Sequence, residues 1–225
     1  MKQVWIVSAM IAGALIAGTA LVVGHDRRQP DTIETAAGLP WQIQTLPGGQ
    51  IQVMGLTLGG RPSTLSDVQR IWGGNVEVAV IAAPGESGAL EAFVDPAQAG
   101  FVSGKLVVTL NAPADAVAGM RQRALKSEFM ESTTRKYILA PADRQAAAAY
   151  GITAMAFIPQ ANLDATTVIT RFGKPAERRR MGDEAEHFLY PDKGLDLTLN
   201  SRGKDVLQYV APSEFDKLAA PLIQR

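Results

Sequence analysis

The sequence predicts an α+β protein: an N-terminal transmembrane helix, then two helix-plus-antiparallel-meander units joined by a mostly helical segment. Three observations support this prediction. Residues 4–24 form an uncharged apolar run, two similar stretches begin at Thr64 and Asp164, and strand-like alternation follows each stretch. The predicted divisions are an anchor or signal, a linker, a first unit, a connecting segment and a second unit. They span residues 1–24, 25–40, 41–112, 113–160 and 161–225.

The run from Val4 to Gly24 predicts a helix that crosses a membrane and contacts the lipid bilayer. At about 1.5 Å per residue it is roughly 30 Å long, which matches the hydrocarbon core. A short tail bearing Lys2 is typical of an export signal, although Arg27 opposes that orientation. We therefore expect a single-pass protein of a bacterial-type inner membrane, with most of the chain in the periplasm. Small residues before Gly24 also suit cleavage, so a secreted protein is the alternative.

The first unit follows a polar, proline-containing linker. Alternating residues on both sides of Pro47-Gly48-Gly49 predict a hairpin. Ser63 or Thr64 then begins a helix with its apolar residues on one face, and Gly73 with Gly74 ends it. The runs "NVEVAVIAA", "ALEAFVD" and "KLVVTLN" predict the three strands of a meander.

The second unit repeats this order. Asp164 begins a helix that carries Val168 and Phe172, and Gly173 ends it. The runs "AEHFLYPD", "GLDLTLN" and "KDVLQYVAP" predict the strands that follow. This self-similarity predicts a duplication, in which Trp72 and Phe172 occupy equivalent buried sites. Chance similarity between two amphipathic helices is the alternative.

The segment between the units, residues 113–160, has mostly helical composition with two short strand-like runs, "RKYILAP" and "ITAMAFIPQ". It contains more large apolar residues than a connector needs. These residues are Met120, Leu125, Tyr137, Ile138 and Phe157. We therefore expect them to be buried, and the segment to brace the two units into one body.

Two stretches resemble BamE/SmpA-like envelope modules. They are "VMGLTLGGRPSTLSDVQRIWGG" and "LDATTVITRFGKPAERRRMGDEAEHFLYPDKGLDLTLNSRGKDVLQYV". The second matches better, through Val168, Phe172-Gly173-Lys174-Pro175, Tyr190 and Gly203-Lys204, whereas the first lacks the proline. The resemblance implies a non-enzymatic α+β module, here in tandem, that binds other envelope components. Family members are typically lipoproteins, and this chain has no cysteine to carry a lipid.

Composition and motifs argue against several functions. Lys plus Arg equals Asp plus Glu at 22 each, so we expect no nucleic-acid partner. Without cysteine and with two histidines, the chain cannot build a thiolate or multi-histidine metal site. Neither a nucleophile elbow, a P-loop nor a zinc-protease motif occurs, and Ser201–Lys204 matches Ser-x-x-Lys only at a turn. We expect a non-enzyme with no catalytic residue, metal or cofactor.

The predicted binding surface lies in the second unit. We expect Leu195, Leu197 and Leu199 to face the helices, and an aromatic patch to occupy the opposite face of the sheet. The candidate protein-binding residues are Phe188, Tyr190, Tyr209, Arg178, Arg179 and Arg180. There are two alternative interpretations: the rest of the chain covers that face, or the arginines are edge-strand charges that prevent pairing with another strand.

The favoured function is a membrane-anchored extracytoplasmic scaffold or accessory protein that binds an envelope protein. A secreted binding protein or inhibitor with a cleaved signal is one alternative, and an envelope hydrolase is another. His187, beside Glu186, is expected to be a packed or rim histidine rather than a proton shuttle.

Overall fold

The computed structural model describes residues 42–100, 102–130 and 133–222 of the 225-residue chain. No helix in these ranges is long and apolar enough to cross a membrane. The longest has nine residues, against the roughly 20 that a bilayer requires. This corrects the prediction of a transmembrane fold, a signal anchor and a single-pass inner-membrane location. The run Val4–Gly24 on which it rested, and the linker, lie outside the described residues.

The described chain contains five α-helices and thirteen strands. The helices are α1 (Leu65–Trp72), α2 (Ala114–Gln122), α3 (Pro141–Ala147), α4 (Ala165–Phe172) and α5 (Phe215–Ala219). The first strands are β1 (Gln44–Leu46), β2 (Gln50–Val53), β3 (Leu56–Leu58), β4 (Val76–Ala82), β5 (Ala89–Ala99) and β6 (Val102–Leu110). The others are β7 (Lys126–Phe129), β8 (Arg135–Ile138), β9 (Ile152–Pro159), β10 (Glu177–Met181), β11 (Ala185–Tyr190), β12 (Leu195–Asn200) and β13 (Val206–Val210).

The strands form two antiparallel sheets, which gives a mixed α/β fold. One sheet has the order β1-β2-β3, and the other has ten strands in the order β10-β11-β12-β13-β9-β6-β5-β4-β8-β7. The prediction of two meander units joined by a mostly helical segment is therefore wrong. Residues 113–160 contribute β7, β8 and β9, and β9 pairs with β6 on one side and β13 on the other. Its nearly continuous apolar run suits a central strand that is buried on both faces.

One face of the large sheet carries the main core. A row of directly paired residues crosses six strands, and each is at most 3% exposed: Val94, Leu106, Phe157, Leu207, Leu197 and Phe188. The same apolar cluster includes Val68 and Trp72 of α1 and Val168 and Phe172 of α4. These helices therefore pack on this face, because paired residues of a sheet share one side.

The two predicted helices are confirmed, and they match closely. Each has eight residues, and each ends at a glycine with positive φ, 57° at Gly73 and 84° at Gly173. Trp72 and Phe172, the last helical residues, are 9% and 4% exposed, so both aromatics are buried as predicted. Of the connecting residues expected in the core, Met120 and Phe157 are buried.

The prediction for Leu125 is wrong, because its side chain is 64% exposed. Leu125 directly precedes β7, whose residues are all exposed. The composition of this segment indicated a helix, whereas the structure has the edge strand β7 directly after Leu125.

We expect Gly173→Val to lower the free energy of unfolding by about 1 kcal/mol or more. A Cβ at this position would meet nothing closer than Lys193 Nζ at 4.0 Å, so the cost comes from positive φ rather than from a clash. Gly74→Val is the matched control, since an added Cβ there has open space and no positive φ is required. Equal melting temperatures for the two variants would contradict the strain argument.

Candidate functional site

The aromatic side chains of the predicted binding surface are buried. Phe188 and Tyr209 are 0% exposed and Tyr190 is 4% exposed. Phe188 pairs with Leu197 and Tyr209 with Leu195, so the aromatics share the helix-facing side with the leucines. The expected open aromatic patch is therefore wrong.

Tyr190 instead links the sheet to the end of α4. Its hydroxyl donates to the Gly173 carbonyl at 2.9 Å, and its ring centroid lies 6.1 Å from that of Phe172. Burial raises the pKa of Tyr190 above its ordinary value, although the nearby Arg178 opposes the shift. The residue therefore acts as a neutral structural contact.

The predicted arginines lie on β10, which forms one edge of the described sheet. Arg178 donates to both carboxylate oxygens of Glu186, at 3.1 and 3.0 Å, and its guanidinium lies 4.7 Å from the Phe188 ring centroid. Arg179 donates to Glu177 at 2.9 and 2.6 Å. Arg180 is the most exposed, with 82% of its side chain accessible. This arrangement matches the alternative of a charged edge, while binding by the arginines stays a prediction.

A histidine–aspartate pair lies on the opposite face from the main core. The register places His187 opposite Thr198. Asp196 lies two residues before Thr198 on β12, and its side chain is therefore on the same face of the sheet. His187 Nδ1 lies 3.0 Å from each oxygen of Asp196, which is 1% exposed, and 3.1 Å from Thr198 Oγ1. Sequence alternation placed Asp196 and Thr198 on this face, but only the β11–β12 register brings the histidine to them.

The pair orients the imidazole without forming a recognisable catalytic set. A buried carboxylate that accepts from Nδ1–H fixes the ring and its tautomer. Catalysis of the hydrolase type would also require a nucleophile at Nε2. Within the described part of the chain, His187 makes its hydrogen bonds through Nδ1. No cluster of three metal-ligating His, Cys, Asp or Glu side chains occurs in the described ranges.

A cleft of about 800 Å³ lies across the ends of four neighbouring strands. We call it the strand-end cleft. Its floor comprises the start of β5, the end of β6, the start of β9 and the end of β13. One wall is the loop of Gly59, Gly60 and Pro62, and another is α5 with its flanking turns. The β4–β5 turn, Gly85 to Gly88, closes one end.

Charged and polar contacts hold the walls of the cleft in place. Arg121 of α2 donates to the carbonyls of Glu86 and Ser87 at 2.8 and 2.9 Å, which fixes the β4–β5 turn. Lys217 forms an ion pair with Glu214 on α5 and the preceding turn. Exposed Thr153 and Asn111 contribute polar groups, whereas half-buried Pro62 and Pro221 contribute apolar surface.

Sequence reasoning did not find this cleft. The stretches "LGGRP" and "PGESG" have the glycine and proline content typical of turns, but no sequence prediction joined them to each other or to the segment after Val210. Its parts come from five separate regions of the chain, so the sheet order alone brings them together. The two turn motifs were the available signal, since glycine-rich turns beside strand ends often form binding loops.

Comparisons of the chain with family models, curated proteins and solved structures found no match. The resemblance of two stretches to BamE/SmpA-like modules therefore stays a prediction.

Proposed function

We propose that the chain is a non-catalytic binding protein whose strand-end cleft receives an extended segment of a partner protein. The observation that carries the proposal is the size and position of the cleft. Its volume of about 800 Å³ falls within the range of roughly 300–1,000 Å³ for binding pockets. The BamE/SmpA-like resemblance of the second half supports the same class of role.

The dimensions of the cleft favour an extended segment. Neighbouring strands lie about 4.8 Å apart, so the four strand ends span about 14 Å. An extended chain advances by about 3.3 Å per residue, so about four residues fit along the cleft. Exposed threonine and asparagine side chains on the floor suit hydrogen bonds to a peptide backbone, and the half-buried Pro62 and Pro221 suit its apolar side chains.

The chemistry of the lining supports binding without catalysis. Its acidic side chains, Glu86 and Glu214, are not buried, and Glu214 is paired with Lys217. The imidazole of His187, which Asp196 orients, does not line the cleft. Catalytic acids and bases usually sit in pockets that perturb their ionisation, and these carboxylates lie at an open rim.

Thr153→Trp tests the proposal, because it fills the floor of the cleft from an exposed position. Random linear peptides displayed on phage are selected on the wild-type chain, and the enriched peptides are then measured against the variant. We expect binding to weaken by at least about tenfold. Thr45→Trp on β1, an exposed threonine outside the cleft, is the matched control and should bind like the wild type. Failure to enrich peptides, or equal binding to both variants, would overturn the proposal.

A further inference from the structure

The strand β7 forms the second edge of the described ten-stranded sheet, and its surroundings are unusually apolar for an edge. All four residues of β7 are exposed. Leu125, just before it, and Phe129, at its end, are 64% and 69% exposed, the highest values among the large hydrophobic side chains that the structure describes. An exposed apolar edge favours pairing with another strand unless charge or proline prevents it.

The backbone of β7 presents groups that point away from the sheet. Met130 N–H donates to the Thr134 carbonyl at 2.9 Å, and the register pairs Glu128 with Lys136. Hydrogen-bonded pairs alternate along an antiparallel ladder, so the amides of Lys126 and Glu128 face β8. The Leu125 N–H also bonds to β8, at the Ile138 carbonyl. Those of Ser127 and Phe129 therefore face outward, where another strand can bond to them.

We propose that β7 pairs with β7 of a second copy of this chain, antiparallel and across a two-fold axis at Ser127. In this register Lys126 of each copy lies opposite Glu128 of the other, and the Leu125 side chain lies beside Phe129, while the Leu125 N–H stays bonded to the Ile138 carbonyl at 2.9 Å. Opposite charges and apolar pairs directly across two strands both stabilise a sheet. A two-fold axis forms each of these pairs twice, which makes the strand self-complementary.

Contacts within one copy prepare the strand for this pairing. Lys126 Nζ lies 2.6 Å from Glu128 Oε1, so the two charges occupy the same side of the strand. The Arg135 guanidinium lies 4.0 Å from the Phe129 ring centroid, which holds the ring on the other side. Both charged side chains are substantially exposed, and each can therefore exchange its partner for one on the second copy.

The opposite edge of the sheet explains why a second copy would choose β7. Strand β10 carries Arg178, Arg179 and Arg180 in succession, so self-pairing there would place arginines opposite arginines. Consecutive charge of this kind blocks edge pairing. Because a four-residue strand buries little area, we expect a reversible dimer with a dissociation constant in about the micromolar range.

Charge reversal tests the register. Sedimentation velocity of the full chain over a concentration series should show a dimer, and Lys126→Glu should raise its dissociation constant at least about tenfold by placing carboxylates opposite each other. Glu128→Lys should have the same effect, and the double variant Lys126→Glu/Glu128→Lys should restore the dimer. A chain that stays monomeric throughout, or a dimer indifferent to the single variants, would overturn the proposal. Failure of the double variant to restore the dimer would overturn it as well.

A single cysteine provides an independent test, because the chain has none of its own. Ser127→Cys places two thiols opposite each other on the axis, at a Cα separation of about 5.5 Å, which a disulfide accommodates. We expect mild oxidation to convert this variant to a covalent dimer. Arg180→Cys on the β10 edge is the matched control and should stay mostly monomeric. Equal cross-linking of both variants, or cross-linking of Arg180→Cys alone, would contradict pairing through β7.

Discussion

Trp72→Ala and Phe172→Ala should each lower the free energy of unfolding by about 3 to 5 kcal/mol, the range for large aromatics removed from a core. Both side chains end a helix that packs on the large sheet, and they are 9% and 4% exposed. Trp72 Nε1 also donates to the Gln98 carbonyl at 3.3 Å, and Trp72→Ala removes that hydrogen bond.

Each substitution should shift one cooperative transition of the whole chain. The two aromatics belong to one apolar cluster, and β9 hydrogen-bonds the two halves of the sheet to each other. Urea unfolding followed by circular dichroism and by tryptophan fluorescence should give coincident curves. Ile71→Ala and Ile169→Ala, on the same two helices but 38% and 39% exposed, are controls and should cost less than about 1 kcal/mol.

Two separable transitions, of which Trp72→Ala lowers only one, would contradict this expectation. They would show that residues 41–112 and 161–225 fold as independent units, despite the shared sheet. A small cost from either aromatic, equal to that of its isoleucine control, would instead contradict its assignment to the core.

The local elements of this fold were predictable, because their signals are contained in short stretches. Thr64 and Asp164 begin helices whose caps join residues three positions apart: the Asp67 side chain accepts from the Thr64 N–H, and the Asp164 side chain accepts from the Thr167 N–H. Gly73 and Gly173 end them with positive φ. Hydrophobic alternation likewise indicated most of the strands.

The assembly of the elements was not predictable, because strand order depends on pairings between distant residues. The run "ITAMAFIP" indicated a strand, but nothing local places it between β6 and β13. Because β9 pairs with both β6 and β13, the strands of the two predicted meanders belong to one sheet. Residues 113–160 are therefore part of that sheet and not a connector between two units. The short strand β7 was also missed, since "KSEF" has little strand propensity and pairs only with β8 among the described strands.

The prediction of an open aromatic patch was wrong for a related reason. Alternation along "GLDLTLN" correctly separated the leucines from Asp196, but the register with β11 decides which side Phe188 and Tyr190 share. They share the leucine side, and the opposite side carries His187. The strand-end cleft forms where the ends of four strands meet, and that meeting depends on the strand order. The sequence therefore indicated only the glycine-rich turns that line it.

The stability of the chain should fall as pH rises from about 5 to 8, and Glu91 should account for part of that fall. Glu91 is 4% exposed and lies on β5 between Ala79 of β4 and Thr109 of β6. Burial raises the pKa of its carboxyl from 4.5 to about 8. The folded chain therefore keeps this proton across a window in which the unfolded chain has lost it.

The sign of the effect follows from the number of bound protons. Between the two pKa values the folded state holds one more proton than the unfolded state, so each rise of one pH unit lowers the free energy of unfolding by about 1.4 kcal/mol. Above about pH 8 both states are ionised and the contribution no longer changes. Glu91→Gln keeps the shape and stays neutral, so it should gain stability relative to the wild type as pH rises through this window.

Urea unfolding of both chains at several pH values between about 5 and 8 measures this difference directly, and it cancels the other groups that titrate. Asp183→Asn replaces an exposed carboxyl in the β10–β11 turn and is the matched control, whose profile should run parallel to the wild type. Parallel profiles for wild type and Glu91→Gln would mean that the carboxyl is ionised in the folded chain. The second face of the sheet would then be hydrated at Glu91, which its 4% exposure argues against.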